Sequence, residues 1–196
     1  MLPGLYLALA SAPKKRTAID IQLIQKAWRT AERAHRGQTY GSAGSPYLLH
    51  LGQVMLEAVA ATAQLDGERT EIIISAILHD TLEDTEVTEH YLADHFGTEV
   101  LRIVRALTKD DALPKAEQMP DSLRRIKACG QPAAVVKLCD RIANLSQAPP
   151  DHWEVAWIRA YRAEGERIHR ELGAYAPALA ERLREVLIAY ERFCTE

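Results

Sequence analysis

The chain has 196 residues, 47% of them hydrophobic and 26% charged, with a formal net charge of −3; that length supports one sizeable core and is short for two domains. The charges are spread without a long basic run, which excludes a nucleic-acid groove held by phosphate neutralisation and leaves room for a small anionic ligand gripped by a few cations. Cys129, Cys139 and Cys194 lack C-x-x-C spacing, so neither a disulfide framework nor a zinc ribbon is indicated, and a reducing cytoplasm suits them.

Residues 1–18 read as an N-terminal extension and 19–194 as the folded domain. Met1 to Ala12 is apolar and ends in small residues, but Lys14-Lys15-Arg16 follow the apolar part, the reverse of secretory order. No apolar run approaches the roughly 18 residues of a membrane span. From Asp20 to Gln38 the positions Ile21, Ile24, Ala27, Trp28, Ala31 and Ala34 recur at helical spacing, Asp20 is a fitting N-cap, and His35 continues the inward stripe. Gly37 to Pro46 is read as a loop, Leu48 to Leu65 as a helix closed by Asp66-Gly67, and Glu68 to Leu82 as a third helix.

Shorter helices follow from the cap Thr88 to Phe96-Gly97 and from Thr98 to Lys109, with a polar turn over Asp110 to Pro114. Pro120 and Gly130-Gln-Pro132 bracket another helix. Ala133 to Leu145 is a strongly apolar segment whose length and alanine content favour helix, ended by Pro149-Pro150. Two long amphipathic helices, Asp151 to Leu172 and Ala176 to Cys194, complete a single all-α bundle.

The apolar run from Ile72 ends in His79, Asp80, Glu83 and Asp84. On a helix His79 and Glu83 share one face, and Asp80 and Asp84 the next. Carboxylates crowded at the end of a buried segment repel one another and lose hydration, and no Lys or Arg lies between Thr70 and Val100. The compensating charge must come from elsewhere in the fold or from a metal. Asp140, inside the second apolar segment, is either paired with Lys137 or Arg141 or is a ligand, and Asn144 shares its face. His35, His79, Asp80 and Asp140 make a mixed nitrogen and oxygen set, suited to a six-coordinate ion such as Mn²⁺ and less to structural zinc.

The order His…His-Asp…Asp resembles the HD superfamily of metal-dependent phosphohydrolases. More narrowly, Ala34-His-Arg-Gly-Gln38, Pro46-Tyr-Leu-Leu-His50, Leu78-His-Asp-Thr-Leu-Glu-Asp84, Leu107-Thr-Lys109 and Val136 to Leu145 resemble the hydrolase domain of the RelA/SpoT alarmone enzymes. Leu113-Pro-Lys115 and the C-terminal helices resemble the stand-alone small alarmone hydrolases, the metazoan SpoT homologue among them. The similarity runs from about Ile19 to Leu187. It implies an HD-type helical bundle in which His35, His79, Asp80 and Asp140 bind Mn²⁺ and Glu83 and Asp84 activate water. It also implies nucleotide contacts from Asn144 and an aromatic residue, for which Tyr161 is the candidate, and phosphate contacts from Lys115 and Lys137. Lys109 is a further candidate for phosphate contact, and reads at least as well as an exposed helix-end cation. The implied reaction removes the 3′-diphosphate of (p)ppGpp or (p)ppApp as pyrophosphate.

One departure bears on the base. Guanine-specific members carry an Arg-Lys pair in the loop after the first His; here the loop reads Gln38-Thr-Tyr-Gly-Ser-Ala-Gly-Ser45, where Tyr40 can stack on any purine. This leans toward adenine. Leu51 stands where a Pro usually follows, and His50 reads as a supporting or packing residue ahead of a fifth ligand. Alternatives are another nucleotide phosphatase, such as an NADPH 2′-phosphatase, and a non-catalytic nucleotide sensor. His90, His95, His152 and His169 read as surface groups without carboxylate partners at ligand spacing. Trp153 and Trp157 read as a packing face, with a homodimer left open.

Overall fold

Asp20 opens the first helix by accepting the Leu23 N–H at 2.9 Å, so α1 (Ile21–Ala34) starts at the cap the sequence marks. This computed structural model describes residues 18–41, 44–63, 65 and 69–195, so the N-terminal extension and the Asp66-Gly67 helix stop lie outside the described residues. The 37–46 segment is more than a loop: β1 (Thr39–Tyr40) pairs antiparallel with β2 (Ser45–Pro46), Thr39 opposite Pro46 and Tyr40 opposite Ser45. Two-residue strands carry no period in the sequence, so only the turn glycines announce them.

Helix α2 (Leu48–Thr62) leads to α3 (Arg69–Leu78), in which every residue from Ile72 to Leu78 is buried. The expected continuation to Leu82 does not occur. The chain turns at His79-Asp80 before the single turn of α4 (Thr81–Asp84). Side chains take the last carbonyls of α3: Thr81 Oγ1 donates to Leu78 O at 2.7 Å and His79 Nδ1 to Ala76 O at 3.0 Å.

Thr88 caps α5 (Glu89–Phe96), and Gly97, at φ +88°, turns directly into α6 (Thr98–Leu107). In α7 (Lys115–Cys129) Pro120 lies inside the helix instead of bounding it. The N–H it lacks would pair with the carbonyl of Ala116 in the exposed first turn, where solvent can replace the bond.

Helix α8 (Gln131–Leu145) is buried on nearly every side, while α9 (Val155–Leu172) and α10 (Pro177–Tyr190) are amphipathic and pack against it. α9 starts four residues later than the sequence suggests, and α10 ends in a 3₁₀ turn at Glu191–Phe193. Helices α3 and α8 form the centre of the all-α bundle; α3 packs on α1, α2, α6 and α8, and α8 on the C-terminal helices. The two most buried helices thus deliver the unusual polar residues, at the end of α3 and midway along α8. No helix among the described residues is long and apolar enough to cross a membrane, and the three cysteines form no disulfide there.

Candidate active site

Where α3 ends, His79 is 4% exposed and its Nε2 stands 2.9 Å from Asp80 Oδ2 and 3.7 Å from Asp140 Oδ1. α2 contributes His50, whose Nε2 lies 3.3 Å from His79 Nε2, 3.6 Å from Asp140 Oδ1 and 3.7 Å from Asp80 Oδ2. His50, His79 and Asp140 each bring a donor atom within 4.8 Å of the others. The sequence reads His50 as a supporting residue ahead of a fifth ligand; the fold, in which α2 packs along α3, brings its Nε2 into this group.

His35 ends α1, 3% exposed. Gln38 fixes its tautomer. The Gln38 amide donates from Nε2 to Asp84 O at 2.8 Å, so its Oε1 accepts from His35 Nδ1 at 2.7 Å. His35 Nε2 is left with a bare lone pair, buried and without a hydrogen-bond partner. An unpaired imidazole nitrogen whose other nitrogen is anchored is the arrangement of a metal-ligating histidine. The donor set His50, His79 and Asp140 thus fits a divalent cation, with Asp80 against His79; His35 stands outside that group of converging atoms, and its unpaired Nε2 is what offers it as a further ligand.

Cations from outside the 70–100 segment do compensate the carboxylates. Lys137 Nζ donates to Asp140 Oδ2 at 3.0 Å, and Asn144 Nδ2 to Asp140 Oδ1 at 2.5 Å. Arg141 turns away from Asp140 to Glu164, 3.3 Å distant. Burial would raise Asp140, yet the Lys137 ammonium beside it, with His79, holds its carboxyl well below the ordinary range. Burial likewise opposes the charged form of Asp80, and the His79 charge outweighs it, keeping that carboxyl well below its usual value. For His79 burial disfavours the imidazolium, but Asp80 and Asp140 raise it to about 10.

Glu83 and Asp84 follow on α4. Glu83 accepts from Lys109 Nζ at 2.7 Å, so Lys109 is a site cation and not a bare helix end. Asp84 is raised from its ordinary value by partial burial and by the Asp80 and Glu83 carboxylates.

His50, His79, Asp80, Asp140, Glu83 and Asp84 line one cavity of about 240 Å³, with Lys109, Lys137 and Asn144 in its wall; His35 is not part of the lining. Its far wall is Tyr161, which the Arg141 guanidinium covers at 4.2 Å and Trp153 meets edge-on at 5.1 Å. Tyr161 is pushed up to about 12 by burial, with Asp140 and Glu164 nearby, and stays a neutral hydroxyl. Lys115 is exposed at the start of α7 and is not part of the lining. Tyr40 stacks on His50 with centroids 4.7 Å apart and donates to Asn144 Oδ1 at 2.8 Å. Sequence reasoning missed Tyr47, whose hydroxyl donates to Asp80 Oδ2 at 2.6 Å; its place depends on the hairpin.

The remaining histidines lie apart from this cavity. His90 does have a carboxylate partner, Asp94 at 3.1 Å one turn on, in an exposed surface pair. Trp153 packs, as its spacing suggests, whereas Trp157 is 66% exposed.

The profile of the HD domain matches residues 27–183. This chain belongs to the HD-domain family. Among curated HD-domain relatives, the Danio rerio guanosine-3′,5′-bis(diphosphate) 3′-pyrophosphohydrolase MESH1 is 33% identical over 165 residues, covering 81% of this chain and 88% of that protein. The Aquifex aeolicus guanosine-3′,5′-bis(diphosphate) 3′-pyrophosphohydrolase is 32% identical over 163 residues, covering 82% of this chain and 21% of that longer protein. A solved structure described as a metazoan ortholog of SpoT that hydrolyzes ppGpp superposes with a TM-score of 0.78 at 22% identity, covering 91% of this chain and 100% of that one. That superposition carries the HD-domain fold.

Proposed function

We propose that this chain is a metal-dependent 3′-pyrophosphohydrolase of alarmone nucleotides, acting in the cytoplasm with Mn²⁺ as its ion. The observation that carries the reading is the meeting, in one cavity, of an imidazole and carboxylate cation site, the Glu83-Asp84 pair and two lysines. The names of the MESH1 relatives supply the substrate class.

A divalent ion in this site supplies Lewis acidity toward phosphoryl oxygens and makes water more acidic. The chain does the rest. Lys109 and Lys137 offset the charge of the 3′-diphosphate, with Lys115 reaching only groups at the cavity rim. Asn144 and Tyr161 hold the nucleoside, and Tyr40 flanks it. Asp84 takes a proton from water as its oxygen bonds to the phosphorus attached to O3′. The P–O3′ bond breaks, O3′ gains a proton through solvent, and pyrophosphate leaves. The other product is the nucleoside 5′-diphosphate from ppGpp or ppApp, and the 5′-triphosphate from pppGpp or pppApp.

The base is adenine or guanine, with adenine favoured because no cation occupies 37–46 where guanine-specific relatives place an Arg-Lys pair. The test is an anion-exchange product assay with Mn²⁺, offering ppGpp, ppApp and NADPH separately, with His79→Ala as the blank. Pyrophosphate from either alarmone, lost in the blank, is expected. A clear kcat/KM preference for ppGpp would overturn the adenine assignment. Orthophosphate from NADPH alone would replace the alarmone reading by a phosphatase, and binding without turnover would make the protein a sensor.

A further inference from the structure

Tyr47, the residue between β2 and α2, touches two of the proposed cation-site residues at once. Its ring lies nearly parallel to the His35 imidazole, centroids 4.8 Å apart and planes at 17°, and its hydroxyl donates to Asp80 Oδ2 at 2.6 Å. Neither contact is incidental to a ligand's aim. The bond from Gln38 to His35 Nδ1 fixes the ring's direction within its own plane, while stacking fixes the plane, so together they determine where the bare Nε2 points. For Asp80, the Tyr47 hydroxyl and His79 Nε2 converge on one oxygen, which sets the rotation of the carboxylate.

Tyr47 is itself held. Its backbone N–H donates to Gln38 O at 3.0 Å, and the His50 ring meets its face at 66° with centroids 5.5 Å apart. The hairpin thereby ties α1, which ends in His35, to the turn that carries Asp80.

We propose that Tyr47 is a positioning residue of the metal centre, setting the His35 ring by stacking and the Asp80 carboxylate by its hydroxyl. This rests on the metal reading above and is independent of which nucleotide is cleaved. Tyr47→Phe keeps the stack and removes the hydroxyl, whereas Tyr47→Leu removes both.

The experiment is a Mn²⁺ titration of the full chain, followed by the electron paramagnetic resonance of free Mn²⁺, with circular dichroism to check folding. Outer partners of metal ligands are worth about 10- to 100-fold in affinity; Tyr47→Phe is expected near the lower bound and Tyr47→Leu near the upper. In the product assay Tyr47→Phe should lose kcat at low Mn²⁺, recover at saturating Mn²⁺, and keep the KM for nucleotide. A folded Tyr47→Phe that binds Mn²⁺ as the parent does would overturn the proposal even if Tyr47→Leu does not fold. A parent protein that binds no Mn²⁺ would overturn the metal reading with it. A parent that binds Mn²⁺ but cleaves no alarmone would overturn the substrate assignment alone.

Discussion

Lys109 holds Glu83 at both carboxylate oxygens: Nζ donates to Oε1 at 2.7 Å and the backbone N–H to Oε2 at 3.1 Å. The adjacent Asp84 has no such grip among the described residues, and burial with the Asp80 and Glu83 charges raises its pKa. A general base needs a free oxygen and a pKa lifted toward the working pH. In the proposed reaction the pair therefore divides its work, Asp84 as base and Glu83 as the anchor of Lys109. Asp84→Asn should lower kcat by about 10²- to 10⁴-fold with little change in KM. Glu83→Gln should resemble Lys109→Met and act mainly on KM. The base works ionised, so kcat should fall as pH drops through a value above that of an ordinary carboxylate. Steady-state kinetics across pH decide this, and a Glu83→Gln loss confined to kcat would reverse the roles.

If His79 is a ligand as proposed, proton and metal compete for it. Without an ion its imidazole is held protonated up to about pH 10, against an ordinary 6.5. The sign for folding follows: this raised pKa stabilises the ion-free protein fully below pH 6.5 and is lost as pH rises through about 10. Metal uptake must displace that proton, so the apparent Mn²⁺ affinity should rise about tenfold per pH unit between pH 7 and 9. Calorimetric titration in two buffers of different ionisation enthalpy should count about one proton released per ion. No proton release would show that His79 is not a ligand.

The parts of this site legible in the sequence are those set by helical spacing. His35 lies on the buried stripe of α1, and Asp140 and Asn144 share a face of α8 and bond directly. What depended on side chains taking backbone roles was not legible. The α3 break at His79-Asp80 comes from a threonine hydroxyl and an imidazole occupying carbonyls that a continuing helix would use, and both residues look helical in a periodicity count. Nor does any spacing reveal that a two-residue hairpin lays Tyr40 and Tyr47 over His50 and His35, because those contacts join separate segments. Lys115 is the converse case: motif order favoured it over Lys109, while the fold turns Lys109 into the cavity and leaves Lys115 at an exposed helix start.

Lys137 and Asp140 form a pair only 12% and 10% exposed, reinforced by Asn144. Removing one partner of a buried pair leaves an uncompensated charge and costs about 3 kcal/mol or more. Lys137→Met should destabilise the ion-free protein by that amount in urea, and Mn²⁺ should restore part of the loss by compensating Asp140. The depressed pKa of Asp140 contributes stability above the ordinary carboxylate value of 3.8 and loses it as pH falls toward the folded-state value. With the ammonium gone, the acid unfolding midpoint should therefore move to higher pH. A variant as stable as the parent, with the same acid midpoint, would mean that His79 and Asn144 alone satisfy Asp140.

Gly165 sets how closely α9 approaches α8. A Cβ there would lie 2.9 Å from Leu145 Cδ1 and 3.0 Å from Leu187 Cδ2, with Arg141 Cδ at 3.7 Å. Both leucines are buried, so neither side chain can swing into solvent, and α9 itself must give way. One turn earlier on α9, Tyr161 rests under the Arg141 guanidinium as the far wall of the cavity. Gly165→Ala should therefore cost about 1–3 kcal/mol by overpacking, read in urea denaturation. It should also raise the KM for nucleotide while leaving Mn²⁺ affinity unchanged, since His35, His79, Asp80 and Asp140 all lie outside α9. An unchanged KM in a destabilised but folded variant would separate the α8–α9 packing from the substrate wall and remove Tyr161 from the proposed nucleotide contacts.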